Sequence, residues 1–402
     1  MSTVAFLNIA MHGHINPTLP IVAELVRRGH RVTYHTTPAY AEEIAATGAR
    51  VLRYSGHDHP LPGTPVALMD ELSRAAVRLL PTVLAELREI RPDLIVHDSL
   101  CPWGPVAARE LGVPAASSFT TFAFNRRMPS PTRGSWQLLA AAAARPRHAG
   151  GYLSSRWELR RRYDTSAMPL IDLANIRQPL NLVYTSRALH PAADSFDESY
   201  RFVGPSVGAR PENSSFPLDR LRDPVLYVSM GTLFDVGPRL LRSFADALAP
   251  LGGTVVVSTG HTDPGALGPL PENVIAHRSV PQPEVLARAA LFVTHGGVNS
   301  VNEALYAGVP MLVVPQGADQ PLVAARIVEL DAGLSIRTED VDAESVRALA
   351  RRLLDEPRFR AAASTLRDAQ RAAGGYRRAA DELERYVRQP GRPGSADQPG
   401  RG

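Results

Sequence analysis

VPQPEVLARAALFVTHGGVNSVNEALYAGVPMLVVPQGADQ, residues 280–320, is the stretch whose reading decides the fold. Its two apolar runs, 291–294 and 311–314, are short, bounded by turn residues and separated by a helical period. That alternation predicts a parallel βαβ unit. The turn His295-Gly296-Gly297 falls where the first strand ends and the helix begins. Such a junction gathers unpaired N–H groups and the positive end of a helix dipole, so it suits a phosphate. A helix starting near Val298 sets Ser300 three residues and Asn299 four residues before Glu303, on one face close to the anion site. A carboxylate one turn into a phosphate-binding helix needs a partner that donates hydroxyls, and a ribose is one. Asp319 and Gln320 follow the next strand, at the carboxyl edge where α/β sheets hold ligands. Both are residue types that grip sugar hydroxyls.

The order and spacing PQ…THGG-NS–EAL–GVP…DQ resembles the nucleotide-sugar signature of the UDP-glycosyltransferase superfamily (GT1). It resembles most that of the bacterial macrolide-type glycosyltransferases, and the likeness runs over nearly the whole chain. The resemblance implies an α/β, GT-B fold: two facing Rossmann-like doubly wound domains with an interdomain cleft. It also implies a nucleotide sugar as co-substrate, a UDP-sugar or TDP-sugar, and no separate cofactor.

A chain of 402 residues is too long for one typical core, which makes two domains the expectation. Hydrophobic content of 44% against 21% charged residues is that of a globular protein rather than a membrane-spanning one. The net charge of +4 comes with no basic and aromatic cluster, so nucleic acid is not an expected partner. Cys101 is alone, which excludes a disulfide framework and fits a reducing cytosol. Residues 3–11 are apolar but lack a basic n-region and a cleavage site. The longest apolar run, 138–144, is far too short for a bilayer. The reading is a cytoplasmic protein without an integral membrane segment, its oligomeric state not set by sequence. His57-Asp58-His59 looks superficially like a metal site. Three adjacent residues in an extended loop do not converge on one ion, so no metal is expected.

The first half alternates strands at 4–9, 31–35, 50–54, 94–97 and 114–117 with helical periods at 19–27, 39–47, 66–90 and 106–111. Pro81 is expected to interrupt the long period. No G-x-G-x-x-G follows the first strand, which counts against a dehydrogenase. His12-Gly13-His14-Ile15-Asn16-Pro17 stands there instead. Glycosyl transfer to an alcohol needs the hydroxyl proton removed as the C–O bond forms, and an imidazole titrates near the working pH. The resemblance assigns the general base to the histidine of a G-H-x-x-P element, here His14, and leaves His12 to shape the turn. A neutral imidazole needs a partner that fixes its tautomer. Asp98 ends the strand 94–97 at the same carboxyl edge and matches the family's aspartate, although a helix cap is the competing reading. Strand alternation turns His97 to the opposite face.

Residues 119–178 are less regular, and the family places its acceptor-facing loops there. Phe119, Phe122, Phe124 and Trp136 line either an apolar acceptor cleft or the core. The run Arg160-Arg161-Arg162 reads as a solvated face. The expected organisation is an acceptor domain at 1–204, a Pro- and Ser-rich linker at 205–223 and a nucleotide-sugar domain at 224–375. A helix at 376–388 then crosses back to the first domain, before a disordered tail at 389–402. In the second domain, Ser229-Met230-Gly231-Thr232 resembles the family's S-x-G-T/S turn near the donor phosphates, with Ser229 and Thr232 as donor residues. One departure concerns the triplet Val280-Pro281-Gln282. The family has an aromatic just before it, stacked on the donor base, where this chain has Ser279. Losing a stacking partner costs roughly 1–3 kcal/mol unless another group such as the Arg278 guanidinium replaces it. The base is therefore open between uridine and thymidine.

The combined reading is an inverting transfer from a nucleotide diphosphate sugar, UDP-glucose first, to a hydroxyl of a macrolide, polyketide, flavonoid or similar natural product. A TDP-deoxysugar enzyme of antibiotic biosynthesis is the nearer alternative. A non-catalytic nucleotide-sugar binding protein is the other, and the presence of both His14 and Asp98 argues against it.

Overall fold

A computed structural model describes residues 1–54, 64–125, 127–128, 140, 142–169, 175–208, 216–231 and 236–389. The chain divides into two units: 1–184 with 192–209 and 374–402, and 185–191 with 210–373. The segment 185–191 thus belongs with the second unit although chain of the first flanks it on both sides.

The first unit is built on seven parallel strands: β1 (Thr3–Leu7), β2 (Arg31–Thr36), β3 (Arg50–Arg53), β4 (Leu94–Asp98), β5 (Ala115–Phe119), β6 (Leu180–Val183) and β7 (Tyr200–Phe202). Their spatial order is β3-β2-β1-β4-β5-β6-β7. Strand alternation sorts the core into two layers. Ala5, Leu7, Ile9 and Ile95 pack with the helices Pro65–Ile90 and Trp103–Leu111 on one face. Val4, Phe6, Leu94 and Val96 pack with the helix Leu19–Arg27 on the other. That second face also receives the last helix, Gly375–Arg388, through Ala379, Ala380, Leu383 and Tyr386. Tyr386 donates its hydroxyl to the Ala115 carbonyl at 3.0 Å, and Arg28 meets Asp381 at 2.6 Å.

The expected break at Pro81 does not occur, and the helix Pro65–Ile90 runs through it. Pro81 lies on the exposed side, where water can solvate the carbonyl its missing N–H leaves unpaired, while Leu79, Leu80, Val83, Leu84 and Leu87 hold the buried side to the sheet.

The second unit carries six parallel strands: β8 (Val225–Ser229), β9 (Thr254–Ser258), β10 (Val274–His277), β11 (Ala289–Thr294), β12 (Met311–Val313) and β13 (Gly333–Ser335). The order is β10-β9-β8-β11-β12-β13. Leu226, Val228, Leu291 and Val293 face the helices Gly237–Leu248 and Ala343–Asp355. Their neighbours Tyr227 and Phe292 stack on each other across the opposite face, centroids 4.9 Å apart. In each sheet the chain reverses its direction of travel at one point, between β1 and β4 and between β8 and β11. Ligands of open α/β sheets sit beyond the strand ends at such a point. No helix among the described residues is long and apolar enough to cross a membrane.

Candidate functional site

At the reversal point of the first sheet, β1 leads through Asn8–Met11 into a single helical turn, His12–Ile15. Ile15 is drawn into the core, and the turn places His14 over the end of β4. His14 Nδ1 lies 2.7 Å from Asp98 Oδ2, with 7% of the histidine exposed and none of the aspartate. The Leu100 amide donates to Asp98 Oδ1 at 2.7 Å, so the carboxylate has an oxygen committed to each partner. A carboxylate accepts only, so in the neutral ring Nδ1 carries the proton and Nε2 the lone pair. Thr120 Oγ1, at the end of β5, lies 2.9 Å from the same Nδ1 and shares that proton. The Asn8 side-chain amide holds the His14 carbonyl at 3.0 Å. Asp98 also sets its surroundings: burial, and then its negative charge, raise Tyr184 and Cys101 above their ordinary values.

His97 is a different histidine. Its ring lies over Gly104, where a Cβ would come 2.3 Å from its own Cβ, and it donates Nδ1–H to the Asp98 carbonyl at 2.9 Å. Its Nε2 is 2.9 Å from the Gln178 side-chain nitrogen. Burial pushes it down to about 4, so it is neutral and structural at ordinary pH. His12 sits edge-on to Tyr40 at 4.9 Å.

At the reversal point of the second sheet, β8 and β11 end side by side, Ser229 opposite Thr294. The helix Val298–Ala307 starts at Gly297, which has no side chain to cap it. His295 is clamped between two glycines. A Cβ on Gly231 would lie 2.6 Å from its ring, and one on Gly297 2.5 Å from its Nε2. Gly231 and Gly296 also hold left-handed backbone, φ +73° and +86°, that other residues resist. Burial lowers His295 to about 4, which keeps it neutral at ordinary pH.

Gln282, Ser300 and Glu303 form one cluster. Gln282 Nε2 donates to Glu303 Oε2 at 2.7 Å and approaches Ser300 Oγ at 3.4 Å, while Tyr227 donates its hydroxyl to Gln282 Oε1 at 3.2 Å. Asn299 is half-buried on the first turn of that helix. Val280 is half-buried, and Ser279 is exposed, its carbonyl accepting from His277 Nδ1 at 2.6 Å. Arg278 lies 3.9 Å from Asp263. Asp319 is half-buried at the start of the helix Gln320–Glu329. Gln320 is buried, and its Oε1 accepts from the amides of Gln316 and Gly317 at 2.7 and 3.2 Å. Its oxygen therefore closes the loop 315–319 around the left-handed Ala318.

Phe119 and Phe122 are fully buried, Phe119 packed with Val183, Phe196 and Tyr200. The structure puts both in the core and gives neither a surface for an acceptor. Thr232, Trp136 and the run His57-Asp58-His59 lie outside the described residues. Among the described residues no group of three His, Cys, Asp or Glu converges as a metal site. Two features escaped the sequence. Thr120 reaches His14 only because β5 ends beside β4, and no motif marks it. Thr185 donates to Asn302 at 2.9 Å, Gln370 donates to the same oxygen at 2.7 Å and accepts from the Ser186 amide at 2.9 Å. This buried network ties 185–186 to the helix Val298–Ala307, and its members are too far apart in sequence to be read as a unit.

Residues 242–384 match the family described as erythromycin biosynthesis protein CIII-like, C-terminal domain. The chain is 30% identical over 394 residues to the NDP-glycosyltransferase YjiC of Bacillus subtilis (strain 168), covering 96% of this chain and 97% of that protein. It is 33% identical over 401 residues to the oleandomycin glycosyltransferase of Streptomyces antibioticus, covering 95% and 90%. The crystal structure of the glycotransferase of kitacinnamycin is similar at a TM-score of 0.84 and 33% identity, covering 96% of this chain and 99% of that one.

Proposed function

Because this chain belongs to the UDP-glycosyltransferase superfamily, among the macrolide-type glycosyltransferases of the GT-B fold, we propose that it transfers a hexose from UDP-glucose to a hydroxyl of a macrolide, polyketide or similar natural product. The observation that carries the reading is the His14–Asp98 pair, 2.7 Å apart beyond the end of β4, with the Nε2 lone pair left for an acceptor.

In this reading the acceptor hydroxyl gives its proton to His14 Nε2 as its oxygen forms a bond to the anomeric carbon. The bond from that carbon to the diphosphate oxygen breaks, and the electron pair leaves with the nucleotide. Attack from the face opposite the leaving group inverts the configuration. Asp98 stabilises the imidazolium that forms and holds the tautomer. On the second unit, the N–H groups at the start of Val298–Ala307 and the residues Ser229 and Thr232 take the charge of the diphosphate. Gln282 and Glu303 hold the ribose hydroxyls, Asn299 and Ser300 line the same corner, and Asp319 with Gln320 takes the sugar.

A second reading has a specific ground. Ser279 stands where the family carries a stacking aromatic, and the name of the Bacillus relative specifies no base. A TDP-deoxysugar donor then replaces UDP-glucose with the same chemistry. The test is a matrix of UDP- and TDP-linked sugars against macrolide and phenolic acceptors, read by mass, run on the wild type and His14→Ala. Calorimetry with UDP runs alongside. The variant is expected to bind UDP normally and to lose about 10²–10⁴-fold in transfer. Undiminished transfer removes His14 as the base, and transfer from TDP-deoxysugars alone selects the second reading.

A further inference from the structure

We propose that the outer face of the helix Pro146–Arg162 docks on a bilayer surface rich in acidic phospholipid. Only four large hydrophobic residues are exposed among the described residues, and two of them, Leu153 at 61% and Trp157 at 62%, lie one turn apart on this helix. At 100° per residue they form one ridge, with Arg160 and Arg161 falling on its two sides. The Arg161 guanidinium lies 4.6 Å over the Trp157 ring, so cation and indole are already held together. Residues 145–162 contain six arginines and one glutamate, and that glutamate, Glu158, pairs with Arg162 at 2.7 Å.

The ridge has no means of turning inward. Tyr152, Ser155, Arg156 and Leu159 already occupy the buried side. His148 binds Asp70 of the helix Pro65–Ile90 at 2.8 Å. Gly151 fits against the same helix so closely that a Cβ would lie within 2.4 Å of both Asp70 Oδ1 and Arg74 Nη2. The helix is thus fixed with its apolar ridge outward and cations alongside. An indole and a leucine flanked by arginines match the depth profile of a headgroup region, where apolar groups enter the acyl boundary and cations meet phosphate. A convex ridge offers no groove for a peptide, and its charge selects acidic over neutral lipid.

The full chain is sedimented with vesicles of equimolar phosphatidylglycerol and phosphatidylcholine, and with vesicles of phosphatidylcholine alone, at low and high salt. Binding to the acidic vesicles, weakened by salt, is expected. The double variant Leu153→Ser with Trp157→Ser, and separately Arg160→Ser with Arg161→Ser, are each expected to lower it at least about tenfold. Thermal melts verify folding, and the arginine pair provides the reading should the apolar variant fail to fold. Equal sedimentation with neutral and acidic vesicles, or full retention of binding by a folded variant, overturns the proposal. So does self-association of the wild type, lost in the apolar variant and accompanied by no vesicle binding, since the face would then be an interface between copies.

Discussion

Asp98→Asn is the sharpest perturbation of the catalytic assignment. The asparagine keeps the shape, and the Leu100 amide that now donates to Oδ1 at 2.7 Å fixes which way it points. Its carbonyl oxygen must take that place, which turns its NH₂ toward His14 Nδ1. Nδ1 must then accept, the ring proton moves to Nε2, and no lone pair remains for the acceptor hydroxyl. A charge term adds to the tautomer term. With Nδ1 and Oδ2 at 2.7 Å, the centres of an imidazolium and a carboxylate are about 4 Å apart, worth about 4 kcal/mol at an effective dielectric of 20. That is about three decades in rate. The fold should survive, since a lost charged hydrogen bond costs about 1.5–3 kcal/mol. Initial rates at saturating donor, product read by mass, should show kcat down about 10³-fold, with UDP affinity by calorimetry unchanged. A variant that keeps kcat within about tenfold of wild type, or one whose loss is matched by lost UDP binding, refutes the reasoning.

Gly297→Ala tests the glycine clamp: its φ of −61° tolerates a side chain, so only the Cβ, 2.5 Å from His295 Nε2, disturbs the site. Overpacking of this kind costs about 1–3 kcal/mol, and calorimetry should show weaker UDP binding together with a lower Tm. Stability should also fall below neutral pH through His97 and His295. Both have folded-state values depressed to about 4 by burial, so the unfolded chain binds protons that the folded one refuses. Their contribution is complete above about pH 6.5 and declines as pH falls toward 4, by up to roughly 3 kcal/mol each. Urea unfolding at a series of pH values measures the slope, and His97→Asn should flatten it; an unchanged slope rejects the assignment.

Most strands of both sheets were legible because they are short apolar runs between turn residues, and the side-chain period of two then assigns each residue to a face; β13, three residues led by a glycine, was not. Val4 and Phe6 against Ala5 and Leu7 is such a case. The Ser300–Glu303 part of the second cluster was legible for a local reason as well, since the two share a helix face, whereas the contact of Gln282 with them needed the fold. What stayed hidden depends on neighbours in space. Pro81 looked like a break because sequence does not say that it faces solvent. Phe119 and Phe122 stayed open between acceptor cleft and core because an aromatic at a strand end serves a core as readily as a pocket. Thr120 needed the β4–β5 pairing, and the grip of Gln320 on Gln316 and Gly317 needed the turn of the loop between them.

The two units solve one problem with the same topology and different side chains. Each opens a corner where the sheet reverses direction, and each sets a histidine there in a buried position. In the first unit a carboxylate accepts from Nδ1, which preserves a basic Nε2 and gives a cation somewhere to be stabilised. In the second, no carboxylate among the described residues is bonded to His295, burial lowers it to about 4, and glycines close over its ring. A neutral imidazole held this way suits a wall beside the diphosphate of the proposed donor, where a titrating one would make donor affinity depend on pH. In the proposed function the same residue type therefore serves as reagent in one unit and as scaffold in the other, and the neighbouring Asp98 marks the difference.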